Sequence, residues 1–428
     1  MAPGTRVELI TIGDELLLGF TIDTNGAFLA RELAAVGVSI VRRTSVGDDA
    51  SAIAGAVHEA LVRTGAVITT GGLGPTSDDM TKPSIAAVFG RGMRRDDAIL
   101  EALRARWKAR GWGGTLPKTN EQQADVPEGA TILANRHGSA PGIWLEDARG
   151  WVAMLPGVPR EMRGMCTEEV LPRVRERAAA GGGAATVVLS RTLRTTSIAE
   201  SALADLITPV ASRLAGVSLA YLPHWPGVDL RVTARGHVHE AEQAAQAAVA
   251  TLREVVGAHA YGEGADDLAA VVLDLCRAQG AQLAVAESCT GGLLGGRLTA
   301  IAGSSDLFRG GVIAYHNAVK VEALGVAEAT LAAHGAVSVE TAREMAAGVR
   351  ARFDSDIGIS ITGIAGPGGG SAEKPVGTVC CAVDIRGDVV AHRRQMVGDR
   401  EEVRQRSAQW ALDLVRRGLA QSLSKRPT

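Results

Sequence analysis

Ala286–Lys320 reads AESCTGGLLGGRLTAIAGSSDLFRGGVIAYHNAVK, and two strand-to-helix units lie in and around it. Gln282–Ala286 is a short β-rich run and Thr290–Ala300 has helical spacing, so Ser288 falls on the turn between them. Val312–Tyr315 reads as the next strand, and Asn317–Leu324 as a short helix that stops before Gly325. Backbone N–H groups at such turns lack helical partners and face outward, which suits a nucleophile or an anion. The pattern predicts an α/β layered domain with Ser288, Tyr315 and Lys320 converging at the ends of neighbouring strands.

A serine hydroxyl is inert until a base takes its proton. Lys320 is that base if desolvation lowers its pKa by about three units from roughly 10.4, ~4 kcal/mol of differential solvation. Alternatively Lys320 stays charged and lowers the pKa of Tyr315, which then takes the proton. Both assignments stay open at the level of sequence. Cys289 is a rival nucleophile, intrinsically better than its neighbour. The glycines on both turns suit close approach of the chain to a ligand.

Outward from this stretch the same domain continues. Asp266 or Asp267 caps its first helix, and a helix over Val339–Phe353 leads to strand Asp356–Ile361. The following loop, TGIAGPGGGSAEKP at 362–375, matches neither a dinucleotide fingerprint nor a P-loop, since Lys374 lacks the required spacing. A nest of glycine amides there still suits one phosphate. Val376–Ile385 and Val389–Val397 form a hairpin over Gly387–Asp388. The last helix opens at Asp399–Arg400 and runs to about Ser422, with Arg400 placed to meet an anion. The expected substrate-binding set is Thr290, Gly291, Gly292, Thr362, Gly363, Gly366, Gly368 and Arg400. Tyr315 and Lys320 are five apart across a strand end, not four apart on one helix face. Together with the missing fingerprint, that excludes a short-chain dehydrogenase.

The N-terminal part alternates from its start: apolar run Val7–Ile12, helix Asn25–Val36, strand Val38–Val46, helix Ala50–Arg63, strand Ala66–Thr70. This implies a parallel sheet with helices on both faces and ligands at the carboxyl ends of the strands. Those ends carry Asp14 and Glu15, then GGLGPTSDD at 71–79. Gly71, Gly72, Gly74 and Thr76 are expected to hold phosphate oxygens, while Asp14, Glu15, Asp78 and Asp79 hold a divalent metal such as Mg2+. Lys82 alone does not balance that charge.

Two resemblances cover most of the chain. AESCTGG, GGVIAYxNxxK and ITGIAGPGGGxxxKPVGTV resemble the C-terminal domain of the competence/damage-inducible CinA family, a nicotinamide mononucleotide amidohydrolase in many members. TIGDELLLG with DTN, TTGGLGPTSDD, NEQQA, GSAPG and LPGVPREM resemble the molybdopterin-binding domain at the N-terminus of that family. There the resemblance implies a metal-dependent ADP-ribose pyrophosphatase, with no cofactor at the C-terminal site. The implied fold is an N-terminal three-layer α/β/α domain over 1–170, a small α+β KH-like module over 171–258, and a C-terminal three-layer α/β/α domain over 259–428. The competing reading is a catalytically silent nucleotide- or pterin-binding protein that acts through partner recruitment.

In the middle, a Gly-Ala run over Ala178–Ala185 marks a linker, and Ser197-x-x-Glu200 reads as a capping box. The β-α-β-β-α order lacks a GxxG loop and a basic cluster, which argues against RNA. A spacer or dimerisation role is expected, with His224 and Trp225 on its hairpin and a homodimer as the assembly. At 428 residues the chain suggests two or three domains, and a formal charge of −2 leaves no electrostatic footprint for nucleic acid or membrane. Five cysteines without C-x-x-C spacing argue against a disulfide scaffold or zinc site, and Cys380–Cys381 reads as core. Small-molecule nucleotides are the expected partners and the cytoplasm the expected location.

Overall fold

The computed structural model describes residues 6–111, 114–180, 186–224 and 227–424. The chain divides into two compact units, Met1–Leu189 with Ala234–Gln243 and Ser190–Thr233 with Ala244–Thr428.

The first unit contains β1 (Arg6–Ile12), β2 (Ser39–Val46), β3 (Ala66–Thr70), β4 (Met93–Arg95), β5 (Asp125–Pro127), β6 (Thr131–Leu133), β7 (Gly142–Asp147) and β8 (Gly150–Leu155). Six of them form one sheet in the order β2-β1-β3-β8-β7-β6, and β4 pairs with β5. β3 is buried along its whole length, so its sequence, AVITT, shows no alternation of apolar and polar residues, as expected of a strand covered on both faces. Leu29 and Leu33 of helix Thr24–Ala35 pack on one face of the sheet, and Ile53, Val57 and Ala60 of helix Ala50–Thr64 on the other. The strands read from the alternation are parallel as expected, and the sheet goes on beyond them with strands the sequence did not announce. β2, β1, β3 and β8 are parallel, but β7 and β6 run antiparallel to their neighbours. The connection between β7 and β8 is a tight turn at Ala148–Arg149, far too short for a crossover, so the chain direction must reverse there.

The middle module is a sheet in the order β10-β11-β9-β12, built from β9 (Thr186–Thr195), β10 (Val217–His224), β11 (Gly227–His237) and β12 (Ala260–Glu263). β12, unread in the sequence, adds a fourth strand beside β9. Ser197 caps nothing: it adopts a left-handed φ of 59°, and helix Glu200–Ile207 opens from Ala199 without a side-chain cap. Trp225 and residues 181–185 of the Gly-Ala run lie outside the described residues.

The remainder of the second unit is a sheet in the order β14-β13-β15-β16-β17, from β13 (Leu283–Glu287), β14 (Phe308–Ile313), β15 (Ile357–Gly363), β16 (Thr378–Ile385) and β17 (Asp388–Gln395). β14, β13 and β15 are parallel, and β16 and β17 complete an antiparallel edge. Helices Leu268–Gln279, Leu293–Thr299 and Arg400–Ser424 cover one face, while Asn317–Leu324 and Val339–Arg352 cover the other. β13 lies between the strands that follow it in sequence, so the crevice at its carboxyl end is where a ligand fits. Among the described residues no helix is long and apolar enough to cross a membrane.

Candidate active site

Ser288 follows directly on β13. Its N–H donates to the Ile361 carbonyl at 2.9 Å, which continues the ladder with β15 and fixes where the side chain leaves the sheet. The turn is held from below by Glu287, a carboxylate only 1% exposed. It accepts from the amides of Gly292 (3.1 Å), Leu294 (3.0 Å) and Gly295 (2.8 Å), and so caps helix Leu293–Thr299. Gly291 N–H donates to the Ser288 carbonyl. The amides of Cys289 and Thr290 donate to no protein oxygen among the described residues.

Lys320 comes from helix Asn317–Leu324 and is 1% exposed. Its Nζ donates to the Ala314 carbonyl at 2.7 Å and to Ser288 Oγ at 3.3 Å. Burial pushes its pKa below the ordinary lysine value, opposed only by the thiol of Cys289. No carboxylate pairs with it among the described residues, so nothing opposite in charge offsets the burial that shifts it toward the neutral amine.

Cys289 points the other way. It belongs to the apolar cluster under the sheet, and a Cβ on Gly363 would stand 3.1 Å from its Sγ. Burial pushes its thiol up to about 12, which leaves almost no thiolate near neutrality.

Tyr315 is where the sequence expectation fails. β14 ends at Ile313, two residues early, and the tyrosine is 61% exposed. Its hydroxyl accepts from Arg400 at 2.9 Å and bonds neither Ser288 nor Lys320. Arg400 also donates to the Gly366 carbonyl at 2.6 Å, so these three residues form a lip separate from the serine–lysine pair. Within the expected substrate set, the Gly292 amide is taken by Glu287 and the Thr362 hydroxyl by the Ala336 carbonyl. Thr290 Oγ1 is buried without a partner, Gly363 ends β15, and Gly368 is exposed.

In the first unit the loop after β3 is shaped mostly by its own residues. Gly71 sits at φ 111°, and a Cβ there would run into the Ile12 carbonyl oxygen, so only glycine lets the loop pass β1. Its amide donates to the Leu155 carbonyl at 3.0 Å. Asp79 accepts from the amides of Gly74 (2.7 Å) and Thr76 (2.8 Å) and from the Thr76 hydroxyl (2.5 Å). Asp79 thus braces the loop, and the amides of Gly71, Gly74 and Thr76 are occupied within the protein. The amide of Gly72 takes no acceptor among the described residues.

Asp14 faces a residue the sequence reading passed over. Its N–H donates to Asp48 at 3.0 Å, and its carboxylate accepts from the Asp48 N–H at 3.2 Å. Burial first, then the charges of Asp14, Glu15 and Asp78, push the Asp48 carboxyl above its ordinary value, against the Asp14 N–H that lowers it. Among the described residues none of these four carboxylates has a basic partner, and no three His, Cys, Asp or Glu side chains stand ready as a metal-ligand cluster. Their hard carboxylate oxygens are the donor type a divalent cation takes, although the side chains are not gathered as a ligand set.

Three family models match the chain: the CinA C-terminal domain over residues 265–419, a probable molybdopterin binding domain over 8–176, and the damage-inducible protein CinA KH domain over 190–262. A CinA-like protein from Gemmatimonas aurantiaca is 62% identical over 416 residues, covering 97% of this chain and 96% of its own. The chain belongs to the CinA family. A putative competence-damage inducible protein from Moorella thermoacetica is 42% identical over 415 residues, covering 97% of this chain and 99% of its own. A CinA-like protein from Frankia casuarinae is 46% identical over 422 residues, covering 97% and 96%.

Within this CinA-family chain, Glu287 and Asp48 are the site residues that sequence reasoning missed, and Lys82, weighed only as a charge, proves to be buried. Glu287 had a signal, since it is the one charge in an otherwise apolar strand. Asp48 had a weak one, the GDD at 47–49. Lys82 lies in a helix of mostly apolar and small residues, and it is 4% exposed. Its Nζ donates to the carbonyls of Gln122 (2.9 Å) and Gln123 (3.1 Å).

Proposed function

We propose that the chain is a hydrolase of pyridine-nucleotide turnover, and that its C-terminal domain deamidates nicotinamide mononucleotide. The observation that carries this is the buried Lys320 amine 3.3 Å from Ser288 Oγ, with no carboxylate to keep it charged. Ser288 Oγ attacks the carboxamide carbon while its proton passes to Lys320 Nζ. The amides of Cys289 and Thr290 receive the developing oxyanion. Lys320 returns the proton to the departing nitrogen, ammonia leaves, and an acyl ester remains on Ser288. Water, deprotonated by the same amine, then releases nicotinate mononucleotide. Tyr315 and Arg400 hold the substrate's phosphate end at the lip, so Tyr315 binds and does not relay.

For the N-terminal domain the reading is cleavage of ADP-ribose or a related AMP-linked diphosphate. Asp14, Glu15, Asp48 and Asp78 would hold a divalent cation, which supplies charge neutralisation for a diphosphate and a more acidic bound water. The Gly72 amide and the braced loop position the phosphates. The deciding experiment is ammonia release from nicotinamide mononucleotide by the full chain. Ammonia with matching nicotinate mononucleotide is expected. Binding without turnover would favour the silent nucleotide-binding protein.

A further inference from the structure

The second unit holds a cavity of 470 Å3 where the middle module meets helix Arg400–Ser424. Thr196, Glu200 and His224 line one side, and Arg394, Arg406 and Trp410 the other; Ser288, Lys320 and Tyr315 are not in its walls. The Arg394 guanidinium lies 5.0 Å over the Trp410 ring and makes no hydrogen bond or ion pair among the described residues. Arg406 Nε is buried with no partner. Two guanidinium groups thus face one cavity, Arg394 exposed and Arg406 half-buried with its Nε unfilled, and Glu200, itself exposed, is the only carboxylate among the described residues that line it. Buried donors of a charged group are costly to leave without acceptors. The adjoining cavity of 520 Å3, which Arg394 also lines, differs: its Arg417 is already paired with Asp413 at 2.9 Å.

We infer that the 470 Å3 cavity binds a phosphorylated small molecule through Arg394 and Arg406. Guanidinium forks match phosphate oxygens, and the volume falls in the range of small-molecule sites. The same helix reaches the nucleophile turn. Arg404 donates to the Thr290 carbonyl at 3.0 Å, and Gln409 joins Thr196 (3.3 Å) to Arg297 (2.9 Å) of the helix that follows Ser288. A ligand bound here therefore acts on an element that also touches the active-site turn.

The test is calorimetric titration of the full chain with inorganic phosphate and with ribose 5-phosphate. Arg406→Gln and Ala199→Asp are the variants. Ala199 is exposed at the N-cap of helix Glu200–Ile207, where aspartate is favourable, so that variant folds and brings a negative charge to the cavity wall. A binding event weakened about tenfold or more in both variants is expected, beside any at the Tyr315–Arg400 lip and the N-terminal loop, which neither variant touches. Should Arg406→Gln fail to fold, Ala199→Asp decides alone. Wild-type affinity and stoichiometry in a folded Ala199→Asp chain, or no phosphate binding by the wild type, overturns the assignment. The outcome is independent of whether Ser288 deamidates a nucleotide.

Discussion

Lys82 and Lys320 both sit in helices just after a strand, Lys82 after the glycine-rich turn at the end of the central β3 and Lys320 after the edge strand β14, and both are withdrawn from water. Burial pushes Lys82 down to about 8, against the pull of Asp125 and Asp79. Both of its partners are backbone carbonyls, which only accept hydrogen bonds. Lys320 has one carbonyl and one hydroxyl. When Lys320 loses its proton, Ser288 O–H can turn and donate to the free amine, so the hydrogen bond survives with its direction reversed. When Lys82 loses its proton, its two remaining N–H groups can still donate to the two carbonyls, but neither carbonyl can donate to the lone pair it gains. Burial alone therefore does not make a lysine a base; a partner able to give a proton does.

The largest effect follows from this difference. Ser288→Ala and Lys320→Met are each expected to lower kcat for ammonia release on the order of 10^3-fold, and the double variant scarcely further, because the two act as one unit. Lys82→Met should leave ammonia release intact and cost ~1–3 kcal/mol of stability, from carbonyls left without a donor. A Lys320→Met chain with normal kcat and a raised KM would erase the contrast and make Lys320 a phosphate ligand. The pH profile sharpens it. The neutral amine is the active form and its pKa is lowered from 10.5, so kcat/KM should rise with pH and level off above a midpoint below 10.5. A lysine that works as a cation gives the opposite slope.

Next in size is the N-terminal site. AMP release from ADP-ribose is expected to vanish with chelator while ammonia release survives. Asp48→Asn should lower AMP release about 10–100-fold and weaken the apparent metal affinity, since it removes one of four carboxylates that share the charge. Asp79→Ala should disturb KM through the loop and leave metal affinity nearly unchanged. If Asp79→Ala weakens the metal more than Asp48→Asn does, the bracing role is wrong and Asp79 is a ligand.

How far the sequence reached differs between the two sites for a physical reason. Ser288 and Lys320 were legible because each is fixed to its own strand-turn-helix unit, and the alternation of strands and helices implied that the units are neighbours. Tyr315 was misplaced by two residues: Ala314 pairs back to Glu287 by its amide, after which the chain turns out toward solvent. No local pattern announces that exit. Asp79 illustrates a true ambiguity, because an aspartate in a glycine-rich loop serves equally as a ligand or as an acceptor for the loop's own amides. Asp48 meets Asp14 across 34 positions, a pairing set by β1 lying beside β2. The antiparallel strands β6 and β7 went unread because β6 is three residues long and β7, which turns back into β8 over two residues, is short, so neither carries much periodicity.

Tyr315 gives the third test. With its hydroxyl bonded to Arg400 at an exposed lip, Tyr315→Phe should raise KM by no more than about tenfold and leave kcat nearly unchanged, since a bond to substrate is lost and no proton step is. A kcat loss as large as that of Lys320→Met would restore the tyrosine to the proton path.

The smallest effect expected is at Cys289, and it separates the two candidate nucleophiles most sharply. The residues are adjacent, so any change to the turn itself strikes both; only the direction of the side chain distinguishes them. Ser288 Oγ meets Lys320, whereas Cys289 Sγ is buried with the apolar cluster beneath the sheet, its thiol pushed up to about 12. A thiol at that pKa is a small hydrophobe and not a nucleophile. Cys289→Ala therefore removes packing and nothing else: ~1 kcal/mol of stability, with ammonia release within about twofold of wild type. Cys289→Ser should behave alike in turnover and cost more stability, since it buries a hydroxyl where no acceptor is on offer. Loss of activity in Cys289→Ala with retention in Ser288→Ala would exchange the two roles. Equal loss in both, with the fold intact by melting, would mean that the turn's geometry and not either side chain sets the rate.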